Sequence, residues 1–86
     1  MRVRIPSPLR SYTGGAANVT ADGATVADVL DDLDRHFPGI RFRMVDEQNR
    51  LRQHMNVWIG QDPVTDLAAP VTDDDEITIM QALSGG

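Results

Sequence analysis

Thr25-Val26-Ala27-Asp28-Val29-Leu30-Asp31-Asp32-Leu33-Asp34-Arg35-His36-Phe37-Pro38-Gly39 is the most strongly patterned stretch of this chain. The Thr25 hydroxyl can cap the free N–H groups of a first helical turn. Asp28 stands three residues later, in capping-box position and favourable to the helix dipole. Val26, Val29, Leu30, Leu33 and Phe37 recur at helical spacing on one face, while Asp28, Asp31, Asp32 and Arg35 fall on the other. Pro38 disfavours helical geometry at Phe37, so Pro38-Gly39 ends the helix. One helix with a single apolar face needs a second layer to lie on.

The flanking sequence supplies that layer as strands. Upstream, Arg2-Val3-Arg4-Ile5 alternates with period two, placing Val3 and Ile5 inward. Ser7-Pro8 reads as a helix N-cap followed by proline at the first position, opening one short turn from Leu9 to Tyr12 that Gly14-Gly15 stops. Asn18 to Ala21 is a second short strand, and Asp22-Gly23 a turn. Downstream, Ile40, Phe42 and Met44 alternate with Arg41 and Arg43, and Asp46 to Arg52 reads as a solvated connector. Met55 to Ile59 is a third strand with Val57 and Ile59 inward, after which Asp62-Pro63 turns the chain. Val64, Leu67 and Val71 are spaced apolar residues in a polar loop. Asp73-Asp74-Asp75 makes a tight turn before the last strand, Glu76 to Met80, with Ile77 and Ile79 inward. Gln81 to Gly86 carries no signal for packing or continued pairing. The expected fold is α+β: a mixed sheet with one helix on one face. Its core is Val3, Ile5, Val19, Val26, Val29, Leu30, Leu33, Phe37, Val57, Ile59, Leu67, Ile77 and Ile79. The opposite sheet face is left without a helix to cover it.

Eighty-six residues suffice for one small domain. No apolar run is long enough to span a membrane, and no leader resembles a signal peptide. The absence of cysteine excludes disulfides, thiolate metal sites and a cysteine nucleophile, and points to a cytoplasmic setting. His36 and His54 lack partners at ligand spacing, so no metal site is expected. The net charge of −5 argues against nucleic acid. All eight basic residues are Arg and lie within residues 1–52 beside seven acids, whereas residues 53–86 hold six acids and no base. That acidic final third favours a basic docking partner.

Asp73-Asp74-Asp75-Glu76-Ile77-Thr78-Ile79, followed by Ala82-Leu83-Ser84-Gly85-Gly86, resembles the close of the β-grasp sulfur carriers of the MoaD/ThiS family. That family shows an Asp-Gly-Asp-Glu-like turn, an apolar strand and a small-apolar-small-Gly-Gly ending. The resemblance covers essentially the whole chain, including the Thr25 helix and the Met55 to Ile59 strand. Asp74 stands where glycine is common, so a looser turn or a left-handed backbone is expected there. Gln81-Ala82 stands where molybdopterin-type carriers have prolines. The connector around Arg50-Leu51-Arg52 and the Ser7 to Gly15 loop look more like the cysteine-biosynthesis, CysO-like, subgroup.

The resemblance implies a ubiquitin-like β-grasp domain over residues 1–81 and a flexible Gly-Gly tail over residues 82–86. It implies a protein co-substrate rather than an enzyme, with no bound cofactor and monomeric on its own. The Gly86 carboxylate is adenylated by a MoeB/ThiF-type enzyme that uses ATP. It then becomes a thiocarboxylate that a sulfur-accepting biosynthetic enzyme consumes, in the making of molybdopterin, cysteine, thiamin, a thiosugar or thiolated tRNA. Gly85 and Ser84, small residues, allow the tail to thread a narrow channel. Leu83 is either an anchor in the activating enzyme or a last residue packed on the sheet edge. Trp58 and Met80, on the uncovered face by alternation, form either a docking patch or a surface that residues 40–53 fold back to cover. Asp75 and Glu76, within the acidic run 73–76, are either a solvated turn or the charge that steers a basic partner. Arg41, Arg43, Arg50 and Arg52 are solvated loop charges or contacts for an acceptor enzyme. The alternative function is a protein modifier that forms isopeptide bonds through Gly86.

Overall fold

The computed structural model describes residues 1–82. Five strands form one sheet: β1 (Arg2–Arg4), β2 (Asn18–Thr20), β3 (Met55–Ile59), β4 (Asp62–Val64) and β5 (Glu76–Gln81), in the order β2-β1-β5-β3-β4. The central β1–β5 pair is parallel and the other three are antiparallel, so the sheet is mixed. Helix α1 (Val26–His36) packs on one face, as its apolar stripe requires. Val3, Ile5, Val26, Val29, Leu30, Leu33, Val57, Ile77 and Ile79 are buried as expected, with Val19, Phe37, Ile59 and Leu67 packed around them.

The Thr25 hydroxyl accepts from the Asp28 N–H at 3.2 Å, which is the expected cap. Asp28 reaches back one residue further than a capping box, to the Ala24 N–H at 3.3 Å. The other first-turn donors are met by the loop between β4 and β5. Val26 N–H donates to the Ala69 carbonyl at 3.0 Å and Ala27 N–H to that of Leu67 at 2.8 Å. Thus the polar loop with spaced apolar residues closes the N-terminus of α1 and inserts Val71 into the core. Gly23 lies directly under this turn. A Cβ there would stand 2.7 Å from Asp28 Cβ and from the Val29 nitrogen, so no side chain fits without moving the helix start.

The structure corrects five sequence-based expectations. Residues Ile40–Met44 form a second helix, α2, rather than an alternating segment: Ile40 and Met44, four residues apart, are buried while Phe42 is exposed. Gly39, with φ 96°, turns the chain between the two helices, a conformation that costs glycine nothing. Asp62-Pro63 is not the turn but part of β4, and the reversal occurs at Gly60-Gln61. Proline is tolerated there because β4 is an edge strand. The turn after Ile5 is a 3-10 helix over Ser7–Thr13, capped at Pro6 rather than Ser7. Asp32 is buried instead of solvated, since it accepts the Asp22 N–H at 3.0 Å. Finally, the loosening expected from Asp74 in place of glycine is absent: the turn is tight, as Asp73-Asp74-Asp75 reads by itself, with Asp75 N–H donating to the Thr72 carbonyl at 3.0 Å. Asp74 is not left-handed; among the described residues the non-glycine positions with positive φ are Asn49 and His54.

Candidate functional site

β5 pairs with β3 as far as Gln81 opposite Met55, and Ala82 N–H donates to the His54 carbonyl at 2.7 Å. Pairing therefore runs one residue past the expected end of the strand. Leu83, Ser84, Gly85 and Gly86 lie outside the described residues, so the expectations for the tail are not placed by the structure.

The uncovered sheet face is built by the alternate residues of the strands. Trp58 sits opposite Thr78 on β5 and Pro63 on β4, and Met80 sits opposite Asn56. Met80 is 51% exposed, so the 40–53 segment does not cover it. α2 instead packs against α1 and the 3-10 helix. Trp58 is half-buried, and its indole N–H is shielded without a partner. Of the expected patch, Met80 is open and Trp58 largely forms its floor.

Beside Met80 a groove of about 600 Å³ runs between the last strand and the start of the 3-10 helix, lined by Arg4, Pro6, Pro8, Arg10, Thr78 and Gln81 among others. On the other side of Gln81 lies a second depression, of about 470 Å³, between Pro8, Leu9, Phe42, Arg43, Glu47 and Arg52. Gln81 and Pro8 belong to both, so the two hollows flank the point where the chain leaves the sheet.

The 46–52 segment is the largely exposed connector expected from its charges, and it is held as an ordered turn. Asp46 Oδ1 accepts the N–H groups of Gln48 at 2.8 Å and Arg50 at 3.0 Å. The Arg50 N–H above all holds the Asp46 carboxyl below its ordinary range, against the opposing effect of burial. Arg52 N–H donates to the Met44 carbonyl at 2.9 Å, and Val45 bridges to Leu51. The Arg52 guanidinium then lies 4.7 Å over the Phe42 ring and donates to the Phe42 carbonyl at 2.7 Å. Arg41, Arg43, Arg50 and Arg52 were expected as solvated loop charges or contacts for an acceptor enzyme; nothing in their spacing shows that Arg43 and Arg52 share a hollow with Gln81.

The acidic run is divided by the fold. Asp75 accepts the Thr72 N–H at 2.8 Å and stabilises its own turn, whereas Glu76 pairs with Arg2 across the β1–β5 ladder at 2.8 Å. Both carboxylates have local work; the Arg2 guanidinium offsets the charge of Glu76, while Asp75, bonded to neutral donors, keeps its own. Among the described residues, no group of three His, Asp or Glu side chains is arranged to hold a metal ion. No helix there is long and apolar enough to cross a membrane.

Comparison with known proteins agrees with this architecture. The sequence model of the ThiS family matches residues 3–86. The sulfur carrier protein CysO of Mycobacterium tuberculosis is 35% identical over 89 aligned positions, which cover 98% of this chain and 96% of that protein. A chain in the crystal structure of the Amycolatopsis orientalis BexX/CysO complex superposes with a TM-score of 0.91 at 40% identity, over 99% of this chain and 98% of that one. SAMP1 of Haloferax volcanii, a small archaeal modifier, is similar at 28% identity and a TM-score of 0.79, over 100% and 98% of the two chains. The modifier is the more distant on both measures, and the modifier reading is not favoured. The chain belongs to the ThiS family and is a ubiquitin-like, β-grasp sulfur carrier protein.

Proposed function

We propose that the carrier group is the C-terminal carboxylate of Gly86. The single observation that carries this reading is the position of Ala82. Among the described residues its N–H is the last one tied to the sheet, and the four residues that follow in sequence end in two glycines. A carboxylate is a poor electrophile. Attack of the Gly86 carboxylate on the α-phosphorus of ATP, in a MoeB/ThiF-type adenylating enzyme, expels pyrophosphate and leaves an acyl-adenylate. A persulfide sulfur displaces AMP, and cleavage of the resulting S–S bond by a thiol releases the thiocarboxylate. The thiocarboxylate is then the nucleophile that a sulfur-accepting enzyme uses. ATP belongs to the partner, and this chain supplies only the acyl group. The likeness to a CysO that forms a complex with BexX supports docking to a separate protein.

Ser84, Gly85 and Gly86 act as the threading segment, because glycine adds no side chain to fill a channel. Leu83 is the anchor that follows the domain into the enzyme, and Met80 is the exposed apolar contact beside it. Removal of Gly86 tests the proposal. The shortened chain is expected to melt as the full chain does, because Gly86 lies four positions beyond the last described pairing at Ala82, and to support no adenylation-dependent pyrophosphate exchange. Exchange at the full rate contradicts the role given to the terminus.

A further inference from the structure

The tail that carries the proposed chemistry is short. Four residues beyond Ala82 reach at most about 14 Å. Any enzyme that takes Gly86 into its interior therefore brings its channel mouth against the surface around Ala82. That surface includes the hollow between Pro8, Phe42, Arg43, Glu47, Arg52 and Gln81. It holds two guanidinium groups against one carboxylate, on a chain whose net charge is −5. The local sign thus opposes the global one.

We infer that the Phe42–Arg43–Arg52 surface at the base of the tail docks an acidic rim, with an apolar contact for Phe42, on the enzyme that receives Gly86. The inference rests on the role proposed for Gly86 and specifies the chemistry of the partner at that site. Phe42 is 59% exposed, the most exposed large apolar side chain among the described residues. Arg52 covers one side of its ring, and the bond from Arg52 to the Phe42 carbonyl fixes the pair. An arginine already held in place loses little freedom when it meets a carboxylate. Arg43 is exposed, lines the hollow and makes no side-chain hydrogen bond or ion pair among the described residues, so its guanidinium is available to a partner. The Asp46 turn that carries Arg52 is closed by its own hydrogen bonds, which makes the surface preformed.

Two measurements on the full chain decide this. In the first, the ¹⁵N-labelled protein is titrated with acetyl-Glu-Glu-Leu-Glu-Glu-amide and, separately, with its Lys counterpart. The acidic peptide is expected to shift the amides of Phe42, Arg43, Arg52 and Gln81, with a response at least about threefold smaller in the Arg43→Gln chain. The Lys peptide is expected to leave them in place. No shift with the acidic peptide, or equal shifts with both, overturns the inference. In the second, pyrophosphate exchange by the activating enzyme is measured with Arg43→Glu. A half-saturating carrier concentration raised about fivefold, at unchanged maximal rate and unchanged melting temperature, is expected. An unchanged or lower concentration contradicts an acidic rim. If the unaltered chain supports no exchange, the role of Gly86 fails, while the peptide titration still judges the surface.

Discussion

Asp32 shows how one side chain can escape a periodic reading. It lies on the polar stripe of α1, yet it is 7% exposed because it accepts the Asp22 N–H of the loop that enters the helix. Arg35 donates to its other oxygen at 2.8 Å. The Asp22 N–H chiefly, then the Arg35 hydrogen bond, hold the Asp32 carboxyl below the ordinary 3.8 despite burial. A carboxyl depressed in the folded state stabilises the fold above its unfolded pKa, and the contribution disappears as pH falls through the folded one. Unfolding of the protein by denaturant at neutral pH and near pH 3 should show this loss, and Asp32→Asn should show less of it. Parallel pH dependences in the two proteins contradict the assignment. Met80 gives a second test at this scale. Met80→Ala should weaken binding to the activating enzyme by about 1–3 kcal/mol. It should leave unfolding within about 0.5 kcal/mol of the parent, as expected for an exposed position. Paired binding and denaturation measurements check both halves. Trp58, half-buried with a shielded indole N–H, should instead destabilise the fold when truncated.

Among the elements, α1 was legible because capping, apolar spacing and the proline stop all agree over fifteen residues. Leu30 is fully buried in that helix, so Leu30→Ala should cost about 2–5 kcal/mol in a denaturation experiment. A change below about 0.5 kcal/mol would mean that the helix packs with another face. The short elements were not legible for equally definite reasons. Ile40, Phe42 and Met44 fit a period of two as well as Ile40 and Met44 fit a helical turn, and five residues cannot separate the patterns. The left-handed Gly39 and the space beside α1 decide for α2. β4 was hidden by Pro63, which reads as a turn unless the strand is known to lie at an edge. Val71 and Leu9 enter the core from irregular or 3-10 segments that carry no periodicity.

Across the whole molecule, the charge asymmetry along the sequence is refolded into a different map in space. The parallel β1–β5 pairing brings Arg2 of the basic part to Glu76 of the acidic part. Gln81, at the end of β5, lies beside Arg43 and Arg52. The surface beside Gln81 therefore carries a local charge opposite in sign to that of the acidic final third. The Gly85-Gly86 ending is a reading of the sequence alone, since the described residues stop at Ala82. The sulfur chemistry assigned to Gly86 is tested most directly by the intact mass of the protein purified from its native cells under non-oxidising, metal-free conditions. The account predicts a fraction of chains in which one oxygen is replaced by one sulfur, located at Gly86 by fragmentation. That fraction should be absent when Gly86 is deleted. A terminus found solely as free carboxylate, or found joined through Gly86 to lysines of other proteins with no sulfur-bearing fraction, would contradict it.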